Sequence, residues 1–318
     1  MRLSIVIPVY NTEPYLEKCL GSCLKQDIDI SDYEIVIVND GTKDNAMSVA
    51  ERFGDEYPNV RIISQENAGL SVARNVGLSH SEGDYVWFVD SDDYISQNSL
   101  GLVFEKISEN PDVICVQCQD NMDESPRNVL PREARTGFDV IVAESWQHCA
   151  PFAIFKRKFL NDNNLRFLAG IFHEDAEFVP RAMALAKNVE VIDKPLYNYV
   201  IRTNDSIMTS KNAKKSYDNI TVAESLMSFL KGFDFPKDVV TAFNRLISVA
   251  INNAFANISG FDKKSRMESD KYIGGRKYIF DSLKMSGVMK YRVEYHLFKI
   301  FGNYTGVYNA LQKLNKKA

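Results

Sequence analysis

Tyr85-Val86-Trp87-Phe88-Val89-Asp90-Ser91-Asp92-Asp93 runs an apolar segment straight into three carboxylates within four positions. The apolar half has the length and side chains of a buried strand. The acidic half is a dense patch of like charge, and carboxylates this close resist ionising together. An exposed turn relieves that repulsion through solvent alone, which makes an acidic loop the plain reading. A hard divalent cation held between carboxylates and a diphosphate is the sharper one, because magnesium characteristically takes one or two carboxylates and completes its shell with phosphate oxygens and water.

Upstream, strand-like and helix-like segments alternate. Leu3 to Val9 is a short β-branched apolar run, and Glu13 to Lys25 follows with Leu16, Cys19, Leu20, Cys23 and Leu24 at helical spacing. Glu34 to Val38 forms a second strand closed by Asn39-Asp40-Gly41. Asp44 to Tyr57 reads as a helix capped near Thr42 or Asp44. Val60 to Ser64, Ser71 to His80 and Tyr85 to Val89 continue as strand, helix and strand. Continuous apolar strands separated by helices predict an α/β fold whose central sheet is mostly parallel and covered on both faces. Ligands of such sheets bind beyond the carboxyl ends of the strands, and Asn11, Asp40 and Asp90 all fall at such ends. A helix is expected from Tyr94, with Asp93 either its cap or a carboxylate supporting a cation held by its neighbours.

Beyond a strand at Asp112 to Cys118 the pattern loosens. Residues 121 to 136, with Pro126 and Pro131, read as a long loop. Order resumes at Phe152 to Leu160 and in an apolar helix at Phe178 to Ala186, preceded by Glu174 and Asp175, and then at Val189 to Ile192 and Tyr197 to Ile201. Lysine-rich Lys211-Asn-Ala-Lys-Lys215 interrupts the apolar pattern, so the expected division is a domain at residues 1–215 and a helical region at 216–318. Within the latter, Met289 to Leu297 fits both strand alternation and helical spacing. Helix is favoured because its surroundings are helical, with Val288, Tyr291, Tyr295 and Phe298 on one face.

The net charge of -4 argues against nonspecific nucleic-acid binding by the whole chain. From Lys263 to Ala318 there are 13 Lys or Arg against 4 Asp or Glu, hence +9, leaving -13 on the preceding residues. Such a basic, aromatic tail suits an anionic surface such as a membrane. Packing against the preceding domain or a second subunit is the duller and favoured account. Five cysteines cannot all pair internally. Cys19 and Cys23 read as core. Cys115 and Cys118 lie in a strand, where neither a redox C-x-x-C nor a zinc site with a second ligand pair is expected. Reduced structural thiols follow, and with them a reducing compartment. The N-terminal residues enter Leu3-Ser-Ile-Val-Ile7 without an apolar h-region, and no run of about 18 uncharged apolar residues is present. The expectation is a cytoplasmic protein, soluble or peripheral at the inner face of the membrane.

In order, the motifs are Ser4-Ile-Val-Ile-Pro-Val-Tyr-Asn11, Val38-Asn-Asp-Gly-Thr42 with Asp44, Asn67-Ala-Gly69 with Ala73-Arg-Asn-Val-Gly77, Phe88-Val-Asp-Ser-Asp-Asp93, and Glu174-Asp175. Over residues 1 to 208 this set resembles the family 2 glycosyltransferases, inverting sugar-nucleotide-dependent enzymes of the GT-A fold. Tyr197-Asn-Tyr199 with Arg202 and Ser206-Ile-Met208 also resembles the stretch after the catalytic acids in bacterial members. The resemblance implies a nucleotide-sugar donor, UDP-linked above others, and a glycan or lipid-linked acceptor. It further implies a base-binding stretch at Pro8, Val9, Tyr10 and Asn11, with Asp40 accepting from the uracil N–H. Asn67 and Arg74 would lie near the phosphates, Asp90 and Ser91 near the ribose. Asp92, with Asp90, would hold Mn2+ or Mg2+. Asp175 would be the general base that inversion requires, with Glu174 its neighbour. Read without the family, Asp40 is a turn aspartate, Arg74 a structural ion pair and Glu174-Asp175 a helix cap. Asn75 and Gly77 read as packing residues and His173 as a bystander.

Competing chemistries lack their signatures. A nicotinamide-dependent oxidoreductase wants G-x-G-x-x-G after the first strand, where Pro8 to Pro14 holds no glycine. An aspartyl phosphatase would carry its motif on the first strand, not the fourth. A sugar-nucleotide pyrophosphorylase would carry a glycine- and arginine-rich loop near its start. A non-catalytic nucleotide- or carbohydrate-binding module remains the alternative. Donor sugar, acceptor, linkage and oligomeric state, homo-oligomer included, leave no readable pattern.

Overall fold

The computed structural model describes residues 1–121, 130–143, 147–201, 213–258, 261–303 and 305–307. Two compact units make up the chain, one of residues 1–170 with 178–203 and the other of residues 171–177 with 204–318. The expected boundary at 215 falls inside a helix, Ala213–Lys231, whose first turn contains Lys214 and Lys215; Lys211 lies outside the described residues. Arg202, Ser206 and Met208 lie outside the described residues.

The first unit opens with β1 (Leu3–Val9), α1 (Glu13–Leu24), β2 (Tyr33–Asn39), α2 (Ala46–Glu56), β3 (Val60–Ser64), α3 (Leu70–His80) and β4 (Tyr85–Phe88). It continues through β5 (Tyr94–Ile95), α4 (Leu100–Ser108), β6 (Val113–Asp120), α5 (Gly137–Ala143), β7 (Ala153–Lys156) and α6 (Arg157–Asp162). Helix α7 (Glu174–Leu185) begins in residues of the second unit and continues into the first, which ends with β8 (Val189–Tyr199). Among the described residues, one eight-stranded sheet runs in the order β3-β2-β1-β4-β7-β6-β8-β5.

Strands β1 to β4 pair in parallel, Leu3 lying opposite both Tyr33 and Tyr85. All seven residues of β1 are buried, as a central strand covered on both faces requires. Helix α3 lies close over β1: a Cβ on Gly77 would come within 2.2 Å of Val6 Cγ1. Gly77 is a packing residue, as its spacing suggested.

The second half of the sheet is mixed. Strand β7 enters antiparallel between β4 and β6, while β6 pairs in parallel with β8. Two expected strands, at 189–192 and 197–201, are one strand. The Asp193-Lys194-Pro195 stretch between them is accommodated by register shifts near Gln117, because a bulge tolerates a proline that regular pairing does not. The helix expected from Tyr94 is absent; Tyr94–Ile95 is the short edge strand β5, paired antiparallel with Asn198 and Tyr197. Ile95 is buried there, so long-range pairing overrides the local signal.

The second unit contains α8 (Ala213–Lys231), α9 (Lys237–Ile258), α10 (Lys263–Gly274), α11 (Asp281–Met285) and α12 (Met289–Phe301). The ambiguous segment near Met289 is thus helical. Phe280 stacks on Phe298 of α12 at 3.7 Å between ring centroids and on Phe255 of α9 at 6.0 Å. Helix α9 has the length and apolar composition to cross a membrane, although Arg245 interrupts it and no uncharged apolar run of about 18 residues is present. Its Val239, Phe243, Ile247, Ile251 and Ile258 are buried, which makes it the core helix of this unit. The five cysteines carry free thiols, and burial pushes Cys115 up to about 12.

Candidate functional site

Each of the first strands ends in a polar loop, and these loops are tied to one another. After β1, Asn11 takes a left-handed backbone (φ 52), a conformation asparagine tolerates better than most residues. Its amide N–H donates to Thr42 Oγ1 at 2.7 Å and its side-chain oxygen accepts from Lys43 N at 3.1 Å, joining the loops after β1 and β2. Asp44 Oδ2 accepts from Glu13 N at 2.7 Å and its Oδ1 from Ala46 N at 3.2 Å, so one carboxylate serves the starts of α1 and α2 together. Thr12 Oγ1 donates to Ser91 Oγ at 2.9 Å and fastens the loop after β1 to the acidic loop after β4. Pro8 and Val9 are buried within β1. Tyr10 and Asn11 are the residues of that stretch exposed at the surface.

Asp40 is buried and its carboxylate is fully engaged. Oδ1 accepts from Gln65 Nε2 at 2.7 Å and Ala68 N at 2.8 Å, and Oδ2 from Gly69 N at 2.9 Å and Asn67 Nδ2 at 3.2 Å. An ionised carboxylate offers about four acceptor directions, and the loop before α3 occupies them. In the structure these partners all belong to the Gln65–Gly69 loop. The positive N-terminus of α3 adds a favourable field for this carboxylate. Gly41 (φ 65) is required beside it, because a Cβ there would stand 2.9 Å from Asn67 N.

Arg74, on the buried face of α3, is 1% exposed. Its Nη2 donates to Asp90 Oδ1 at 2.7 Å, and its guanidinium lies 5.2 Å from the Phe167 ring centroid. A buried guanidinium is tolerated when paired and stacked in this way. Phe167 is held by Phe178 at 4.0 Å and Phe88 at 5.1 Å between centroids, and Asn75 bonds both backbone groups of Phe167. Arg74 thus braces the acidic loop through its ion pair with Asp90.

Within that loop the three aspartates differ. Asp90 keeps part of its surface exposed beside Arg74, and Asp92 is partly exposed. Asp93 is buried: its Oδ2 accepts from Tyr197 Oη at 2.6 Å and its Oδ1 from Val200 N at 2.8 Å. Burial, then the charges of Asp92 and Asp90, raise its pKa well above the ordinary aspartate value. Tyr197 Oη in turn accepts from Asp90 N at 3.2 Å. Burial, reinforced by Asp93 and Asp90, keeps that phenol protonated. Asp93 is accordingly a clamp between the acidic loop and β8 rather than a helix cap. Its spacing carries no hint of this, and neither does that of Thr12, Gln65 or Phe167; each is recruited by tertiary packing.

Among the described residues no group of three or more His, Cys, Asp or Glu side chains is arranged to hold an ion. Asp90 and Asp92 nonetheless supply hard oxygen donors at the surface. That set suits magnesium or manganese when a ligand contributes phosphate oxygens.

Glu174 and Asp175 are the first two residues of α7 and belong to the second unit. They occupy its first turn rather than preceding the helix as caps. His173 before them has a left-handed backbone (φ 64), and burial lowers its pKa. Two hydrogen bonds fix this end of the helix. Phe172 N donates to Asp218 Oδ2 at 2.8 Å, and Glu177 Oε1 accepts from Ser225 Oγ at 2.6 Å.

A family model described as glycosyl transferase family 2 matches residues 4–174. The chain is 32% identical over 228 residues to the uncharacterized glycosyltransferase EpsJ of Bacillus subtilis, an alignment covering 68% of this chain and 65% of that one. It is 27% identical over 214 residues to TarS of Staphylococcus aureus, a poly(ribitol-phosphate) beta-N-acetylglucosaminyltransferase, covering 66% of this chain and 37% of TarS. The chain thus spans less than two thirds of either relative. The crystal structure of TarS 1–349 with UDP-GlcNAc superposes with a TM-score of 0.78 at 21% identity, over 98% of this chain and 92% of that one. The mannosyltransferase PcManGT of Pyrobaculum calidifontis, solved with GDP-Man and Mn2+, gives a TM-score of 0.58 at 16% identity, over 94% and 87%. The fold is the GT-A arrangement with a helical C-terminal region.

Proposed function

The chain belongs to glycosyl transferase family 2, and we propose that it is an inverting glycosyltransferase. It moves a sugar from a nucleotide donor, a UDP-sugar above others, to a hydroxyl of a glycan or lipid-linked acceptor in polysaccharide or cell-surface glycan synthesis. One observation carries this reading: the loops after β1, β2 and β4 are cross-tied through Thr12 to Ser91 and Asn11 to Thr42, and helix α3 is tied to the last of them through Arg74 to Asp90. They form a rigid polar floor where α/β sheets bind ligands. The binding of UDP-GlcNAc by TarS, which shares this fold, supports a UDP-linked donor.

In this reading Tyr10 and Asn11 meet the base. Asp40 and Asn67 shape the loop beside it, and Asp40 reaches a base N–H only by releasing a loop donor. Arg74 fixes Asp90 near the ribose with Ser91. A divalent cation, Mg2+ or Mn2+, would be held by Asp92 and Asp90 together with donor phosphate oxygens and would supply neutralisation of the charge on the departing nucleotide. Asp175 removes the proton from the acceptor hydroxyl as that oxygen attacks the anomeric carbon and the bond to the nucleotide diphosphate breaks. Its place in the first turn of α7 suits this role, since the positive end of a helix favours a carboxylate's negative charge. Glu174 orients it. The free thiols support a reducing, cytoplasmic setting.

Asp175→Asn should abolish transfer while leaving UDP affinity within about twofold, read by donor turnover and calorimetry. Full turnover in that variant refutes the role of Asp175. Asp92→Ala should lose the manganese-dependent part of UDP binding, and an unchanged calorimetric titration in manganese counts against the metal site. UDP binding without turnover of any donor in a nucleotide-sugar screen would favour the non-catalytic module.

A further inference from the structure

Helix α12 presents an apolar stripe to solvent. At about 100° per residue, Met289, Val293 and Ile300 fall within roughly 40° of one another. They are 70%, 39% and 73% exposed. The opposite side, roughly 140° to 180° around the axis, carries Glu294 and Phe298, both buried. Phe298 stacks on Phe280, and Asn252 Nδ2 donates to Glu294 Oε2 at 2.7 Å. The helix is therefore fastened by one face into its own unit and shows the other to solvent.

Cations flank that stripe on both sides. Arg292 and Lys299 project along one edge and Lys290 along the other, all exposed, and His296 lies within the stripe. The one acid of the helix, Glu294, points inward, and burial raises its pKa. From Lys290 to Ala318 the sequence holds Lys290, Arg292, Lys299, Lys313, Lys316 and Lys317 against Glu294 alone. Single exposed apolar residues need no explanation, but an aligned row bordered by one sign of charge does. A soluble polyanion would use the cations and leave the row of Met, Val and Ile in water. A bilayer uses both, with acyl chains for the row and anionic headgroups for its borders.

From this arrangement we infer that α12 is a peripheral docking face for an anionic lipid membrane, lying in the headgroup plane with Met289, Val293 and Ile300 inserted. This goes beyond the transfer reaction and does not depend on it. It would bring the protein to the surface where lipid-linked acceptors reside.

The test is co-sedimentation of the 318-residue chain with vesicles of phosphatidylcholine, alone or mixed with phosphatidylglycerol. Binding should favour the anionic vesicles by at least roughly tenfold and weaken as salt rises. The triple variant Lys290→Gln, Arg292→Gln, Lys299→Gln should lose on the order of fivefold per cation, about a hundredfold altogether. Val293→Glu with Ile300→Glu should lower vesicle binding by about tenfold or more. Because these side chains are exposed, both variants should melt within about 1 °C of the parent, which separates lost docking from lost folding. Equal sedimentation of parent and variants overturns the inference. So does an oligomer that Val293→Glu with Ile300→Glu dissociates while the parent ignores vesicles, since a second copy would then own the face. Binding of soluble polyphosphate that matches vesicle binding and survives the glutamate substitutions overturns it as well.

Discussion

Asp40→Ala should cost stability out of proportion to one polar side chain. The carboxylate accepts four hydrogen bonds, two from side chains and two from the main-chain N–H groups of Ala68 and Gly69. Gln65 and Asn67 can turn to water when it is removed. The two main-chain donors, fixed at the entrance to α3, have less freedom. A bond to a charged acceptor is worth roughly 1.5–3 kcal/mol, so the main-chain pair sets an expected loss of about 3–6 kcal/mol. That is a large share of the roughly 5–15 kcal/mol that ordinarily separates folded from unfolded protein. Asp40→Asn keeps the shape but has one acceptor oxygen and turns an NH2 toward two donors, so about half of that loss is expected. Urea denaturation followed by circular dichroism gives the energies. Hydrogen exchange at residues 65–73 locates them, with protection lost there first. A loss below about 1 kcal/mol in Asp40→Ala, with exchange at Ala68 and Gly69 unchanged, refutes the reasoning.

Two further predictions rest on buried groups. Burial raises the pKa of Glu294, so the folded chain holds a proton there that the unfolded chain releases above the ordinary value of about 4.3. The stability it contributes is full below that value and is lost as pH rises through the folded one. Glu294→Gln should therefore gain in melting temperature relative to the parent from about pH 4 to pH 7, and a constant difference would disprove it. Cys19, Cys23, Cys115 and Cys118 are buried and Cys149 is partly exposed, so an aromatic disulfide reagent at about pH 8 should titrate one thiol in the native chain and five after denaturation. A second thiol reacting as fast as the first would contradict the burial of the core cysteines, Cys115 above all, whose pKa is about 12.

The parallel half of the sheet was readable because β1, β2 and β4 are buried over nearly their whole length and so are predominantly apolar. Sequence ranges and observed strands coincide there at Leu3–Val9 and Val60–Ser64 and differ by one residue at each end of β2 and at one end of β4. The mixed half was not. Strand β7 has four residues, Ala153–Lys156, too few to establish a period. Strand β8 hides its continuity behind Pro195, and β5 exists only because β8 offers it a partner. The same distinction divides the candidate site. Asp90, Ser91 and Asp92 announced themselves as a polar break after an apolar strand. Tyr197, which holds both Asp93 and the Asp90 amide, is an ordinary strand tyrosine until the chain folds.

Local composition alone determined that the chain makes an α/β sheet, which strand ends carry polar residues, that its five cysteines cannot all pair with one another, and that its last fifth is basic. Those properties depend on burial and on charge along the chain, which each short window already contains. Tertiary structure decided the rest: that Asp40 spends its oxygens on the loop before α3, that Arg74 lies between Asp90 and Phe167, that Asp93 is a buried clamp, and that Met289, Val293 and Ile300 face water rather than core. A side chain's role there is set by neighbours distant in sequence, and packing, not periodicity, selects those neighbours.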